Sequence, residues 1–291
     1  MWTDIARDIS AATGEPFAIR TRGRVAGGCI NSGHRVSDGR RDYFVKTNSA
    51  GARTMFEAEA AALAQLAATG TVRVPQPICA GGNGTASWLA LEYLELHSLS
   101  PSSASALGEQ LAALHAHTAP RFGWSRDNTI GSTPQSNEWC ADWVEFWRER
   151  RLRPQYALAR NNGYDGPLQR DGQRLLERLA AFFSGHAPRA SLLHGDLWGG
   201  NAASNASDAP VVFDPASYYG DREADIAMTE LFGGYPQSFY AAYRAMSPLD
   251  AGYAERSALY NLYHVLNHLN LFGSDYLRQA EAVTARLLAL V

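Results

Sequence analysis

Between residues 192 and 214 the chain collects side chains suited to phosphoryl transfer. Leu192-Leu193-His194-Gly195-Asp196-Leu197-Trp198-Gly199-Gly200-Asn201 starts apolar, turns polar at a His-Gly-Asp, and carries an asparagine five residues after the aspartate. Val211-Val212-Phe213-Asp214 then closes an apolar strand on a second carboxylate. Phosphoryl transfer needs a carboxylate to meet the attacking hydroxyl, which Asp196 would supply. It also needs an amide oxygen and a further carboxylate to hold Mg²⁺ against nucleotide phosphates, which Asn201 and Asp214 would supply. In isolation the same residues also describe a polar loop between two strands, with Asp214-Pro215 as a turn. The elements that position them decide between the two.

Upstream, Tyr43-Phe44-Val45-Lys46 follows an Asp38-Gly39 turn and reads as a strand with an ammonium near its end. From about Arg53 to Ala68, helical spacing puts Phe56, Leu63 and Leu66 on one face with Glu59 in the same stripe, while Glu57 points toward solvent. A carboxylate on an apolar face must find a partner or lose its charge. Lys46 is placed to meet Glu59 from the sheet, and the pair would hold the lysine on the nucleotide's α- and β-phosphates. Ala26-Gly27-Gly28-Cys29 joins the strand-like run Phe17 to Val25 to a second one; Gly27, Gly28 and Cys29 could lay backbone N–H groups over phosphates. The segment is not G-x-G-x-x-G and opens no helix, which argues against a dinucleotide-binding Rossmann unit. Two more strands, Ile78-Cys79-Ala80 and Trp88 to Leu94, flank the Gly81 to Gly84 turn. At Glu92 the second changes character; a plain buried strand fits these residues equally, and only their place in the order of a two-lobed kinase makes Glu92, Tyr93 and Leu94 the expected crossing between lobes and the contact to the adenine edge. ATP and Mg²⁺ are the implied cofactors.

Residues 3–12 read as a short helix. After Ser98 the pattern is helical, with Ser102 or Ser103 as a cap before Leu107, Leu111 and Leu114. His115 and His117 share no helix face, which argues against a metal pair. Trp139, Trp143 and Trp147 form an i, i+4, i+8 stripe expected to be core on one helix, and Arg148 to Arg153 reads as a solvated charge run. A further helix is expected over 167–184, and Tyr260, Tyr263, Leu266 and Leu269 as the buried face of another. Only a short segment follows Asp214 before the next helix, with no Ala-Pro-Glu and no long activation segment. A small-molecule acceptor is therefore expected in place of a docked protein.

At 291 residues the chain has room for two lobes, 1–94 for nucleotide and 95–291 for catalysis and substrate. A net charge of -3 with mixed signs argues against nucleic acid or an anionic membrane surface as partner. Cys29, Cys79 and Cys140 are too scattered for a disulfide framework or zinc site. No stretch approaches the ~20 apolar residues of a membrane span, and the N-terminus carries no basic segment followed by an apolar run. The chain reads as soluble, reduced and cytoplasmic.

Gly27-Gly28-Cys29-Ile30, Phe56-Glu57-Ala58-Glu59, the stretch from Asp127 to Gln135, His194 to Asn201, and Asp221-Arg222-Glu223-Ala224-Asp225 through Gly234 together resemble the fructosamine (ketosamine) kinase family, from about residue 15 to the C-terminus. The His-Gly-Asp core is shared with aminoglycoside and choline kinases; Leu-Trp-Gly-Gly-Asn and Arg-Glu-Ala-Asp are more specific. The resemblance implies an α+β, bilobal protein kinase-like (aminoglycoside phosphotransferase-like) fold, with a small β-rich N-lobe and a larger, mostly helical C-lobe. It implies ATP, Mg²⁺ and transfer to the 3-hydroxyl of a small-molecule or protein-bound ketosamine, a deglycation step. Asp196 then resembles the catalytic base, Asn201 with Asp214 the metal pair, Lys46 with Glu59 the nucleotide-positioning pair, and Asp225 a helix aspartate bracing the catalytic loop. Trp198, with His194 beside it, falls on the acceptor side, where the indole would stack on the sugar or its amine or wedge the loop. Gly199-Gly200 departs from the commoner Ser-Gly. Oxidation of Cys29 would block ATP or link two otherwise monomeric chains. An aminoglycoside, choline or other amino-alcohol kinase of the same fold, and a nucleotide-binding scaffold without turnover, are the alternatives.

Overall fold

Alternation of apolar and polar residues builds the N-terminal sheet. In the computed structural model, which describes residues 1–25 and 30–291, Trp2–Thr13 (α1) precedes strands Thr21–Val25 (β1), Ser32–Ser37 (β2) and Asp42–Ser49 (β3). Helix Arg53–Ala68 (α2) and the hairpin Pro77–Gly82 (β4) and Ala86–Glu92 (β5) follow. The five strands pair antiparallel in the order β1-β2-β3-β5-β4. One face of β3 and β5 (Val45, Trp88, Ala90) packs on Ile5 and Ile9 of α1. The other (Leu89, Leu91) packs on Phe56, Leu63 and Leu66 of α2. Because successive side chains change faces, Lys46, one residue after Val45 and opposite Leu89, is delivered to the α2 face. Gly27, Gly28 and Cys29 lie outside the described residues.

Helix Pro101–His115 (α3) starts one turn earlier than expected: Ser100 is the N-cap, and Ser103 completes a capping box with it. Pro101 at the first helical position presets φ, which moves the start off Ser102 and Ser103. Short strands Thr118–Ala119 (β6), Asn128–Ile130 (β7) and Thr133–Gln135 (β8) lead to helix Trp143–Trp147 (α4). Asp142 caps α4 by accepting from the Glu145 amide at 2.7 Å, so Trp139 stays outside the helix, partly exposed beside Tyr219. Trp143 and Trp147 are core, as expected. The arginine run is not wholly solvated. Residues Arg148–Leu152 form a π-helical turn, and the change in winding carries Arg151 inward. There it is 0 % exposed, lies 4.0 Å over the Tyr218 ring, and donates to the Asn137 side chain and Ser136 carbonyl at 2.7 Å.

Helices Arg153–Asn161 (α5) and Pro167–Arg178 (α6), strands Ala190–Leu192 (β9), Ala202–Ser204 (β10), Pro210–Val212 (β11) and Tyr219–Gly220 (β12), and helices Glu223–Glu230 (α7), Gln237–Met246 (α8), Tyr253–Phe272 (α9) and Leu277–Leu288 (α10) complete the chain. The apolar face of α9, with Tyr260, Tyr263, Leu266 and Leu269, fills the centre of the helical part. A second core continues from α2 and β5 into Leu107 and Leu111 of α3 and takes in Leu192, Leu197 and Ile226. The sheet and the stretch from Leu192 to Asn201 thus rest on one shared apolar layer. No helix among the described residues is long and apolar enough to cross a membrane.

Candidate active site

The His-Gly-Asp turn is shaped by its glycine. Gly195 sits at φ +85°, and a Cβ there would lie 2.2 Å from the Ala216 carbonyl oxygen; only glycine permits that approach in the left-handed region. The turn directs the neighbouring side chains to opposite sides. His194 is fully buried. Its Nε2 is 3.0 Å from the Phe213 carbonyl and its Nδ1 3.3 Å from the Asp196 amide. A neutral ring donating from Nε2 and accepting at Nδ1 satisfies both bonds, and burial, stronger than the pull of Asp225, holds His194 below its ordinary pKa. The ring therefore faces the protein interior and ties the catalytic loop to the residue before Asp214, in contrast to the acceptor-side contact expected from sequence.

Asp196 emerges on the other side. The Asn201 side-chain amide donates to its carbonyl at 2.8 Å and its carboxylate at 3.1 Å, which leaves the Asn201 amide oxygen free of these bonds. Little of Asp196 reaches solvent, and burial, aided by the charge of Asp214 and opposed by Asn201, pushes its carboxyl up to about 7. Asp214 follows β11 in a left-handed conformation at φ 60°, tolerable for aspartate. Its Oδ1 lies 2.6 Å from Lys46 Nζ, and Glu59 Oε1 lies 2.5 Å from the same nitrogen. Burial alone would lower the Lys46 pKa, yet Asp214 and Glu59 together raise it, so the ammonium stays charged. Burial raises that of Glu59 against the pull of Lys46. Lys46 thus joins Glu59 and Asp214 directly, Asp196 and Asn201 form a second bonded pair, and the two groups meet through the backbone, where the Asn201 carbonyl accepts from the amide of Phe213, the residue before Asp214, at 3.0 Å.

Asp225, on α7, accepts from the His194 and Gly195 amides at 2.7 and 2.8 Å. Burial works against its charge, but these bonds and His115, whose Nε2 is 3.2 Å away, hold its pKa below the usual value. His115 is thus a satisfied core histidine, while His117 is exposed. Glu92 is engaged by Arg73 at 2.5 and 2.6 Å, so its side chain is committed, whereas the Tyr93 and Leu94 amides have no backbone acceptor among the described residues.

Trp198 is 39 % exposed. Its ring lies over Gly200, where a Cβ would sit 2.3 Å from the indole, so the glycine is what lets the ring lie flat. Periodicity gave no sign of its neighbour Phe232, which stands edge-on to Trp198 at 6.3 Å, lies tilted against the His268 ring at 4.8 Å and holds a left-handed backbone at φ 59°. The Gly233-Gly234 pair after it was the available signal. Asn128, Gln135 and Asn137 were also missed. Asn128 donates to the Ser217 carbonyl at 2.9 Å, and Gln135 and Asn137 both donate to Asn128 Oδ1, at 2.8 and 2.9 Å. This buried amide cluster grips the chain just beyond Asp214. Its signal was a run of uncharged polar residues in the stretch Asp127 to Gln135.

Known proteins resemble this chain over nearly its whole length. A probable ketoamine kinase of Synechocystis is 47% identical over 290 residues, covering 99% of this chain and 97% of that protein. The solved structure described as "Putative fructosamine-3-kinase" from Haemophilus somnus 129PT superposes with a TM-score of 0.92 at 31% identity, covering 99% of this chain and 98% of the other. Aminoglycoside phosphotransferase APH(4)-Ia shares the kinase-like fold, with a TM-score of 0.64 at 14% identity over 98% of each chain. The family model described as Fructosamine kinase matches residues 1–290, and the chain belongs to that family.

Proposed function

We propose that the protein is an ATP-dependent phosphotransferase acting on the 3-hydroxyl of a ketosamine, a deglycation reaction. The observation that carries this reading is the approach of Glu59 and Asp214 to Lys46 at 2.5 and 2.6 Å, with the Asp196–Asn201 pair at 3.1 Å tied to them through the Phe213 backbone at 3.0 Å. Family membership favours a ketosamine over an aminoglycoside or amino alcohol, and the complete set argues against a scaffold without turnover.

Asp196 takes the part of general base. Held by Asn201, its carboxylate orients the acceptor hydroxyl and receives its proton late in transfer. Lys46, fixed by Glu59, would bind the α- and β-phosphates, and the Tyr93 and Leu94 backbone would meet the adenine edge. The Asn201 amide oxygen and the Asp214 carboxylate are hard oxygen donors of the kind Mg²⁺ takes. Bound there, Mg²⁺ would supply charge neutralisation on the transferring phosphate. Asp225 keeps the loop amides fixed so that Asp196 needs little reorganisation. Trp198 and Phe232 offer aromatic faces to the sugar and its amine substituent. The lobe boundary in this reading falls after Leu94, two residues beyond the end of β5. A cytoplasmic location belongs to the same reading, since free thiols such as Cys79 and Cys140 stay reduced there. The test is mass spectrometry of a panel of ketosamines, aminoglycosides and amino alcohols incubated with ATP and Mg²⁺. A phosphate added to ketosamines supports the assignment; phosphorylation of the other acceptors alone, or of none, refutes it.

A further inference from the structure

A cavity of about 420 Å³ outside the site above opens between the C-terminal end of α3, the segment before β9 and the start of α7. Its size falls in the range of small-molecule sites. Alanines 112, 113 and 116 form a small-residue wall; Arg189, Arg222, His186, Asp221 and Asp250 form the charged one. His186 is gripped on both ring nitrogens, Nδ1 by Asp250 at 2.6 Å and Nε2 by Asp221 at 2.7 Å. Both nitrogens then donate, which requires the imidazolium. Glu223, nearby, is matched by a two-bond contact from Arg256. A cation is therefore a poor occupant of the His186, Glu223 and Asp250 grouping, because those ligand atoms are already bonded.

What the lining leaves over is positive. Arg189, Arg222 and His186 stand against Asp221 and Asp250, and neither arginine meets a carboxylate among the described residues. Among the described residues the Arg189 side chain makes one hydrogen bond, to Thr118 Oγ1 at 3.4 Å. Arg222 spends three N–H groups, on Tyr243 Oη at 3.1 Å and on the Ser247 and Pro248 carbonyls at 3.2 and 2.5 Å. A guanidinium has five, so two remain, the number a phosphate or carboxylate fork takes. From Arg222 a chain of bonds runs one way to the catalytic loop. Tyr243 Oη is 2.8 Å from His115 Nδ1, and His115 Nε2 is 3.2 Å from Asp225, which accepts from the His194 and Gly195 amides.

We propose that this cavity binds a small organic anion, through a phosphate or carboxylate group held between Arg189 and Arg222, and that Tyr243, His115 and Asp225 transmit its presence to the catalytic loop. The anion fixes the outer end of the chain of bonds, and the loop amides at its inner end open less often.

The test uses the full-length enzyme saturated with a non-hydrolysable ATP analogue and Mg²⁺, so that phosphate has no place at the nucleotide site. Inorganic phosphate and malonate are titrated separately by calorimetry, which tells a phosphate site from a carboxylate site. At least one of them is expected to bind. Arg189→Gln, at an exposed position, should weaken that binding about tenfold or more, as loss of a charged hydrogen-bonding partner does. Ala113→Phe, which fills the mouth from an exposed helix position, should also abolish it. Hydrogen exchange of the peptide spanning His194 and Gly195 should slow several-fold with the anion in the parent and stay unchanged in Arg189→Gln. Failure of both anions to bind, equal binding by the parent and both variants, or binding with no change in loop exchange would overturn the proposal. The exchange and binding readouts need no turnover, so they stand apart from the ketosamine assignment.

Discussion

Asp196→Asn separates the chemistry of the base from its effect on the fold. Burial and the neighbouring Asp214 move the Asp196 carboxyl from an ordinary 3.8 up to about 7. A carboxyl raised in the folded chain favours folding while protonated. That contribution is complete below about pH 4, fades as pH rises, and is gone above about pH 7. A displacement of this size corresponds to about 4 kcal/mol at most, and solvent reaching the partly exposed group reduces it to about 1–3 kcal/mol. Asparagine keeps the shape and still accepts from Asn201 but carries no charge. In denaturant titrations without nucleotide or divalent ions, Asp196→Asn should match the parent near pH 4 and exceed it by about 1–3 kcal/mol at pH 8. Turnover should fall by about 10² to 10⁴, the usual share of a general base. Parent-like turnover would falsify the role given to Asp196. A stability difference that does not change between pH 4 and 8 would show that the fold does not hold this carboxyl up.

Lys46→Met leaves Glu59 buried and unpaired and should cost about 3–5 kcal/mol; adding Glu59→Leu should restore most of that stability without restoring activity, and a double mutant that melts no higher than the single one contradicts the pairing. Gly195→Ala meets the Ala216 carbonyl and a forbidden φ, so it should lose about 3 kcal/mol or more with nearly all turnover, as read by thermal melting and initial rates. Trp198→Ala should raise the acceptor KM about tenfold and leave the ATP KM unchanged, since it removes an aromatic contact worth about 1 kcal/mol plus buried area; steady-state kinetics with each substrate varied in turn decides it.

The Lys46–Glu59 pair was legible because two local patterns converge on it: strand alternation puts Lys46 opposite Leu89, and helical spacing puts Glu59 among Phe56, Leu63 and Leu66. Asp196, Asn201 and Asp214 were legible from residue type and order. What escaped were groups whose neighbours are remote in sequence. Arg151 looked like one charge among several until a π-helical turn rotated it under Tyr218. Trp139 kept the spacing of a helix that Asp142 starts only later. His194 looked like an acceptor contact because the motif does not reveal which way the Gly195 turn faces. The amides of Asn128 and Gln135 have partners around residue 217, and Asn137 joins them through Asn128, a distance that periodicity does not sense.

The unequal burial of the two carboxylates on Lys46 bears on how the site works. The Glu59 side chain is 10% exposed and that of Asp214 is 40%. Parting an ion pair costs little where water can take over the released charge and much where it cannot. In the proposed reaction Lys46 would therefore exchange Asp214 for a phosphate oxygen while Glu59 keeps hold of the ammonium from inside the protein. In that reaction, release of Asp214 Oδ1 would return a carboxylate oxygen as a donor for a divalent ion, near Asp196, whose carboxyl the Asp214 charge already helps to raise. The Asp214 backbone need not move for this exchange. Its left-handed conformation is supported on one side by the His194 ring on the Phe213 carbonyl and on the other by the amide cluster gripping Ser217. Its side chain is thus free to change partners on a main chain held in place, which is the form of preorganisation that electrostatic catalysis requires.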